Sequence, residues 1–497
     1  MSIKDILHII VITEIGIFRV VVIMREVVLG RTKISYMMKR HYKIQQLAIL
    51  KLKKNSLNEV QFMKCECAYC KNNNDFDIPS DIIESLENGN LVLFCGGGIS
   101  TESKIVFPNS FYETICYELD EKPIYSFSNL MSRFCELPNG RKKLIKRIRD
   151  RFNYIKSFRE IYDSATRFHR ELSKFYMIDT IVTTNWDDYF EEQCRAVPIV
   201  TEEDLALWDS SYRNVLKIHG SVNSIGTIIA TDEDYERCYN ELSENLIGGK
   251  LKDILATKTV VFIGYSFGDE DLNKILQFVK DKMQSYTPHL FIVTIDKNLN
   301  EKVDYPSKSI IHTDGTFFLH KLNNYLVGKK YINTLQGEEV IERKYSELVT
   351  AHSLISDMEI EKFPNNLYTL FYQDGMIHAF ERFLEMRNSG IYYRPGYIYN
   401  VSSGYKEKIK DYHDKKTYFD EMYFEGYLSG LVALLMNEDE LNGLPFYCKP
   451  PDEFFVELTD YLESIQNNIE SEYSDYAKKF VDEHNFEGLV WHHTPYG

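Results

Sequence analysis

Short apolar runs alternate with amphipathic segments between residues 75 and 330, and each run ends in glycine or in small polar residues. The runs lie at residues 91–94, 178–182, 215–218, 259–263 and 290–295. Runs of this length, bounded by turn residues, are typical of strands buried inside a sheet. Strands that alternate with helices predict an α/β fold with a doubly wound, mostly parallel, Rossmann-like sheet. In such a sheet the residues that follow the strands line one crevice.

Three consecutive glycines, Gly96, Gly97 and Gly98, follow the first of these runs. Glycine lets the backbone turn tightly because it has no Cβ. Ser100 and Thr101 are good N-cap residues, so a helix is expected directly after the turn. A strand, a glycine turn and a helix start together form a place where backbone N–H groups meet a phosphate. The spacing differs from the G-x-G-x-x-G fingerprint, and a tight turn without a ligand has the same pattern.

Polar residues also follow three of the other predicted strands. They are Thr184, Asn185 and Asp187 after the second run, His219 after the third, and Gly264 and Ser266 after the fourth. Asn185 or Asp187 taken alone would equally serve as the N-cap of a helix predicted at residues 189–194. A lone histidine before a glycine is more often a loop residue than a catalyst. The individual residues therefore leave the function open, and the set has to be considered together.

From about residue 336 the apolar positions repeat with the 3.6-residue period of helices. Helices are predicted at residues 342–358, 367–387, 406–435 and 451–484. Their tyrosine and phenylalanine stripe favours a packed core or a subunit interface over a ligand site. Gly426 and Gly430 lie four residues apart and would allow helices to approach closely. We expect residues 336–497 to form a helical domain for regulation and oligomerisation.

Residues 1–62 differ from the rest of the chain because they are basic, whereas the remainder is acidic. Charged residues interrupt the apolar segment at 6–29, so it does not have the composition of a membrane span, and no signal-peptide cleavage site follows it. A peripheral membrane or partner helix, an added core segment and an upstream extension remain open as interpretations. We assign no function to residues 1–62 and expect the catalytic domain to occupy residues 63–335.

Composition narrows the class of protein further. The formal net charge of −16 argues against nucleic acid as a direct partner. Nine cysteines at irregular spacings, without a signal peptide, indicate a reducing cytoplasm. Cys65, Cys67 and Cys70 form a cluster that lacks a nearby fourth zinc ligand. Both a metal site and reduced structural thiols remain open for that cluster.

Four motifs taken together resemble the NAD-binding domain of the sirtuin (Sir2-like) family, and more closely its bacterial branch of NAD-consuming anti-phage effectors. The motifs are Gly96-Gly97-Gly98-Ile99-Ser100, Thr184-Asn185-Trp186-Asp187, His219-Gly220-Ser221 and Gly264-Tyr265-Ser266-Phe267. Four motifs in the family's order are far more specific than any one of them. The resemblance implies a Sir2-type fold over about residues 75–330. It also implies an NAD+ glycohydrolase that depletes NAD+ in abortive infection.

The resemblance implies a role for each matched position. Gly96 to Ser100 would cradle the pyrophosphate of NAD+, the substrate. Thr184 to Asp187 would hold the nicotinamide end, with Asn185 near the ribose and Asp187 on the carboxamide. His219 would be the catalytic base, acting on a ribose hydroxyl or a water, and Asn185 would orient that group. Gly264 and Ser266 would contact the phosphates or the adenosine ribose.

Two departures from the deacetylating sirtuins bear on the activity. Their Gly-Ile-Pro-Asp-Phe-Arg segment is replaced here by residues 101–108, and its arginine has no evident counterpart. Their paired Cys-x-x-Cys zinc ligands are also missing, because only Cys238 and Cys448 follow His219. We therefore expect no metal, and water is the expected acceptor of ADP-ribose. A protein deacylase or ADP-ribosyltransferase and a non-catalytic nucleotide sensor remain the alternatives.

The resemblance also implies partners. We expect a cytoplasmic homo-oligomer that has no integral membrane span and contacts no nucleic acid directly. Assembly with a HerA-like ATPase, or triggering by a phage-derived component, would control the activity. No P-loop occurs in this sequence, so such an ATPase would be supplied by another chain.

Overall fold

The computed structural model describes residues 9–13, 16–20, 75–100, 106–209, 211–303, 305–465, 470–484 and 492–495. The chain divides into two compact units, Met1–Lys64 and Cys65–Gly497. The first unit contains an antiparallel pair of strands, β1 (Ile9–Thr13) and β2 (Gly16–Val20). The cysteine cluster at residues 65–70 and the segment 101–105 lie outside the described residues. The predicted division into residues 1–62, 63–335 and 336–497 stays a prediction.

The second unit begins with a sheet region and continues with a helical region. Its strands are β3 (Leu91–Cys95), β4 (Thr180–Thr183), β5 (Val197–Ile199), β6 (Asn214–Lys217), β7 (Thr259–Ile263), β8 (Leu290–Thr294), β9 (Lys308–His312), β10 (Tyr447–Lys449) and β11 (Glu453–Phe455). The helices of the sheet region are α1 (Ser80–Glu87), α2 (Phe111–Leu119), α3 (Phe127–Cys135), α4 (Gly140–Lys156), α5 (Arg159–Ala165), α6 (Arg167–Ser173), α7 (Tyr189–Cys194), α8 (Asp232–Glu244), α9 (Leu246–Thr257), α10 (Glu270–Met283), α11 (Leu299–Lys302) and α12 (Gly315–Gly328). The helices that follow are α13 (Glu338–Ser356), α14 (Asn366–Met386), α15 (Tyr397–Asp414), α16 (Tyr418–Ala433), α17 (Glu438–Asn442), α18 (Leu458–Ile465) and α19 (Ser471–Glu483).

Seven parallel strands form one sheet in the order β5-β6-β4-β3-β7-β8-β9. The chain builds β4, β5 and β6 on one side of β3 and then crosses back to place β7 on the other side. The strand order therefore reverses between β3 and β7. Ligands of open α/β sheets bind at such a switch point, outside the carboxyl ends of the strands. The predicted α/β fold with a doubly wound parallel sheet is confirmed.

Alternate side chains of each strand enter two different apolar clusters. Val92 and Phe94 face a cluster that includes α8, α9 and α10. Leu91, Leu93 and Cys95 face another cluster, which includes α1, α6 and α12. Because helices cover both faces, the strands are apolar throughout, which explains why the pattern predicted them as continuous runs.

The helical region packs around the contact of α14 with α16, which run parallel to each other. An added Cβ at Gly426 would lie 1.8 Å from the carbonyl oxygen of Tyr372, and one at Gly430 would lie 2.7 Å from Ala379 Cβ. The predicted close helix approach at Gly426 and Gly430 is confirmed. The tyrosine and phenylalanine side chains fill the core between these helices, so the core interpretation of that stripe is confirmed as well. Among the helices that the structure describes, none is long and apolar enough to cross a membrane.

Several predicted elements need correction. Ser100 ends a short 3₁₀ turn, Gly97–Ile99, and the next described helix begins only at Phe111. The predicted helix at 406–435 is two helices, α15 and α16, because the backbone reverses at Lys416, which has a φ of 60°. The predicted helix at 451–484 contains β11, α18 and α19. Short apolar runs do not distinguish strands from helices, which explains the last of these errors.

Candidate functional site

The register of the sheet aligns the ends of the strands that carry the predicted site. Cys95, the last residue of β3, pairs with Thr183 on β4, and Thr183 pairs with Lys217 on β6. Asn185 and His219 each lie two residues beyond this row. Neighbouring parallel strands are about 4.8 Å apart, so the two residues reach the same edge of the sheet on adjacent strands.

The glycine turn after β3 packs directly on the turn after β7. Gly98 donates its backbone N–H to the carbonyl oxygen of Gly264 over 2.9 Å. An added Cβ would lie 2.9 Å from that oxygen at Gly98, and 2.7 Å from it at Gly96. Gly264 itself has a φ of +62°, which favours glycine. These three glycines are therefore required by the contact between two backbone turns.

Gly97 has different surroundings. It is exposed, and the nearest atom to an added Cβ would be Asn185 Oδ1, at 4.0 Å. Among the residues that the structure describes, no group accepts a hydrogen bond from the Gly97 N–H. The Asn185 amide nitrogen is buried and makes no hydrogen bond within the described part of the chain. A buried donor without a partner is costly, so this amide is available to a bound ligand.

A hydrogen bond joins the glycine turn to the loop after β4. Ser100 Oγ donates to Asp187 Oδ2 over 3.2 Å, and the other carboxylate oxygen accepts the Tyr189 N–H over 3.3 Å. Burial raises the pKa of Asp187, while the charge of Lys217 and the Tyr189 N–H lower it in part. The N-cap of α7 is Asp188, so the N-cap alternative for Asn185 or Asp187 is wrong. Asp187, one residue earlier, accepts the first N–H of α7 and also holds the glycine turn in place.

His219 is buried and lies beside the loop that carries Asn185. Its ring packs edge-to-face against Tyr235, with 5.0 Å between the ring centroids. The Val222 N–H donates to the carbonyl oxygen of Trp186 over 2.7 Å and so connects the two loops. The structure therefore places Asn185 and His219 on adjoining loops at the same edge of the sheet.

The remaining predicted residues contribute in different ways. The Thr184 N–H donates to the Cys95 carbonyl oxygen over 3.3 Å, which keeps its loop beside the glycine turn. Ile99 points its side chain into the core, so only its backbone can face the crevice. Ser266 is exposed on the turn after β7, and its Oγ accepts the Gly268 N–H over 3.3 Å.

The sequence pattern did not indicate that Lys217, at the carboxyl end of β6, is buried below the site. The side chain of Lys217 is fully buried, and its Nζ donates to the Asp187 carbonyl oxygen and lies 3.0 Å from Glu191 Oε1. A lysine inside an otherwise apolar strand was the available signal, because lysine is almost never fully buried unless paired. Thr183 was missed as well: its Oγ1 accepts the Asn185 N–H over 3.0 Å and so fixes the start of the loop.

A doubly wound parallel sheet with a glycine turn at its switch point defines a nucleotide-binding type of α/β domain. Residues 179–311 match the family model described as the SIR2-like domain. This match confirms the Sir2-like resemblance predicted from the four motifs. The matched segment contains the loops of Asn185, His219 and Gly264.

Comparison with curated proteins points in the same direction. The chain is 25% identical to Defense-associated sirtuin 2 of Bacillus subtilis over 438 residues, which cover 83% of this chain and 40% of that protein. It is 27% identical to NAD(+) hydrolase ThsA of Enterococcus faecium over 42% of this chain and 44% of that protein. The corresponding protein of Cytobacillus dafuensis is 28% identical over 40% of each chain. The chain spans about two fifths of the length of the curated relatives it matches.

Proposed function

We propose that this protein is an NAD+ hydrolase that cleaves the bond between nicotinamide and ribose and acts as an NAD-depleting effector in defence against phage. The observation that carries the proposal is the convergence of Gly97, Asn185 and His219 at the carboxyl edge of a SIR2-like sheet. Relatives named NAD(+) hydrolase support the reaction, and a relative named Defense-associated sirtuin supports the role in defence.

The proposed binding site fits a dinucleotide. The glycine turn, Gly96 to Ser100, exposes backbone at Gly97 and Gly98, where a pyrophosphate can approach closely. Gly264 and Ser266 border the same crevice from the β7 side and are proposed to contact the phosphates or the adenosine ribose. Thr184 and Asp187 are proposed to hold the nicotinamide end, with Asp187 held in turn by Ser100.

The proposed chemistry uses one amide and one imidazole. In hydrolysis, the bond from ribose C1′ to the nicotinamide nitrogen breaks, and water supplies the hydroxyl that replaces nicotinamide. His219 takes the proton from that water, or polarises a ribose hydroxyl, as a general base. Asn185 orients the water and the ribose through its unpaired amide N–H group. Burial of both side chains keeps bulk water away from the reacting atoms.

The helical region is proposed to control the site through α7. Arg195, next after α7, donates to the Glu385 carbonyl oxygen over 2.7 Å, and Asn388 donates to the Glu192 carbonyl oxygen over 3.1 Å. Since α7 begins two residues after Asp187, a movement of the helical region would reach the site through this helix. Homo-oligomerisation, a HerA-like ATPase and a phage-derived trigger are proposed from the resemblance. Light scattering that finds only monomers, with and without such an ATPase, would count against the assembly.

The experiment that tests the function is NAD+ turnover by purified variants, with nicotinamide, ADP-ribose and its cyclic form resolved by chromatography. We expect Asn185→Ala and His219→Ala to abolish NAD+ loss without lowering the unfolding temperature. His312→Ala, on an exposed residue at the end of β9, and Asn240→Ala, on an exposed residue of α8, are matched controls that should retain turnover. Full activity in either site variant would refute the assignment.

A further inference from the structure

Two histidines and an aspartate converge in the helical region, far along the chain from the SIR2-like site. They are His352 on α13, Asp374 on α14 and His492, and one ligand-type atom from each lies within 4.8 Å of the other two. Asp374 Oδ1 is 3.1 Å from His352 Nε2 and 3.0 Å from His492 Nδ1. One carboxylate oxygen therefore faces nitrogens of two imidazole rings.

The carboxylate is held so that this oxygen points into the cluster. Asp374 is buried, and its other oxygen, Oδ2, accepts the backbone N–H of His493 over 2.7 Å. A buried carboxylate needs compensation for its charge. The hydrogen bond to Oδ2 leaves Oδ1 to share with the two histidine nitrogens.

His352 supplies the second observation. Its Nε2 is buried and makes no well-aligned hydrogen bond within the described chain, although it lies 3.1 Å from Asp374 Oδ1. Its Nδ1 lies 3.2 Å from Ser356 Oγ, one turn further along α13. A proton on Nδ1, donated to that hydroxyl, leaves a lone pair on Nε2 facing the carboxylate oxygen. Two electron-rich atoms this close are stabilised by a cation between them, and an outer hydrogen bond that fixes the tautomer is the usual companion of a metal-bound histidine.

We propose that His352 Nε2, Asp374 Oδ1 and His492 Nδ1 bind a divalent transition-metal ion of the zinc class. Two imidazoles and one carboxylate suit Zn²⁺ and its first-row neighbours, whereas Ca²⁺ and Mg²⁺ prefer oxygen ligands. The 3.0–3.1 Å separations are close to the edges of a tetrahedron with bonds of about 2.0–2.1 Å. Water fills the fourth position, on the side where His492 is half-exposed.

Binding requires one local adjustment. The rings of His352 and His492 are stacked, with 7° between their planes, and a metal lies in the plane of each imidazole that binds it. The His492 side chain is 52% exposed, so its ring can rotate without displacing the core. His352 and Asp374 are held by the helices that carry them. The ion joins the segment 492–495 to α13 and α14 and stabilises that contact.

The test compares metal binding by the full chain and its variants, using Zn²⁺ in calorimetry and Co²⁺ in visible absorption. We expect wild type to bind one more equivalent per chain than His352→Gln, Asp374→Asn or His492→Ala. Any metal on Cys65, Cys67 and Cys70 contributes equally to all of these proteins and cancels in the difference. Ser356→Ala should weaken the affinity by about 10- to 100-fold, because the hydroxyl acts through His352.

His493→Gln is the matched control, since its contribution to Asp374 is a backbone N–H that glutamine keeps. It should bind as wild type does. His492→Ala removes a half-exposed side chain, so its result is independent of whether the buried variants fold. Equal stoichiometry in wild type and His492→Ala, or loss of the extra equivalent in His493→Gln, would overturn the proposal.

Discussion

Neighbouring glycines of the turn after β3 should respond in opposite ways to the same substitution. At Gly97 the nearest atom to an added Cβ would be Asn185 Oδ1, at 4.0 Å, and the backbone φ is not positive. At Gly98 the added Cβ would lie 2.9 Å from the carbonyl oxygen and 3.0 Å from the Cα of Gly264. Because those atoms are backbone, the two turns would have to separate.

The magnitudes follow from these distances. Gly97→Ala places a methyl group in open space and restricts the unfolded chain, so it should stabilise the protein by about 0.4–1 kcal/mol. Gly98→Ala overpacks a backbone contact and should destabilise it by about 1–3 kcal/mol. The free energies of unfolding of the two variants should therefore differ by about 1–4 kcal/mol.

Activity should not follow stability in this pair. If NAD+ lies against Gly97 beside Asn185, the new methyl group displaces it, and a displacement of about 1 Å costs about 100-fold in turnover. Thermal unfolding measures the change in stability. Nicotinamide release and NAD+ calorimetry measure the change in turnover and in binding. A Gly97→Ala protein that binds and consumes NAD+ as wild type does would refute the placement of the substrate at this turn.

Three further variants test other parts of the structure. Lys217→Met leaves Glu191 buried without its cation and should lower the free energy of unfolding in urea by about 3 kcal/mol, with part of the loss restored by adding Glu191→Gln. Burial raises the pKa of Glu421 to about 7, and the neighbouring His413 partly opposes that rise. The protonated Glu421 therefore stabilises the folded protein at low pH, and this stabilisation is lost as the pH rises through about 7. Wild type should therefore lose unfolding free energy relative to Glu421→Gln between about pH 5 and about pH 8, and parallel pH profiles would contradict this. Gly426→Ala forces a Cβ against backbone and should destabilise the helical region by about 3 kcal/mol or more, whereas Gly404→Ala, with open space around it, should stabilise by up to about 1 kcal/mol in the same assay.

Local pattern was enough to predict much of the sheet. The strand at Thr259–Ile263 and the helix at Tyr189–Cys194 were predicted with the bounds that the structure has. Both depend on features visible in a few residues, namely a continuous apolar run and a short polar start. The edge strands β5 and β9 were missed because they are short or only partly buried, so their pattern is weak.

The helical region shows where local pattern fails. One continuous apolar period at 406–435 predicted a single helix, but the chain turns back at Lys416 and the two halves pack on each other. Stacking of Tyr405 on Tyr427, with ring centroids 4.4 Å apart, joins the two helices. Periodicity reports which positions are buried and does not report which partner buries them.

The sequence by itself determined five of the seven strands of the sheet, the order of the four motifs and the residue types at the carboxyl edge, because burial and turn formation depend on neighbours along the chain. Only the tertiary structure distinguished Gly97, which faces Asn185, from Gly96 and Gly98, which face a backbone turn. It also paired Lys217 with Glu191 and brought His492 to Asp374. These contacts join residues that are distant in sequence, so they depend on sheet register and helix packing, which no local pattern contains.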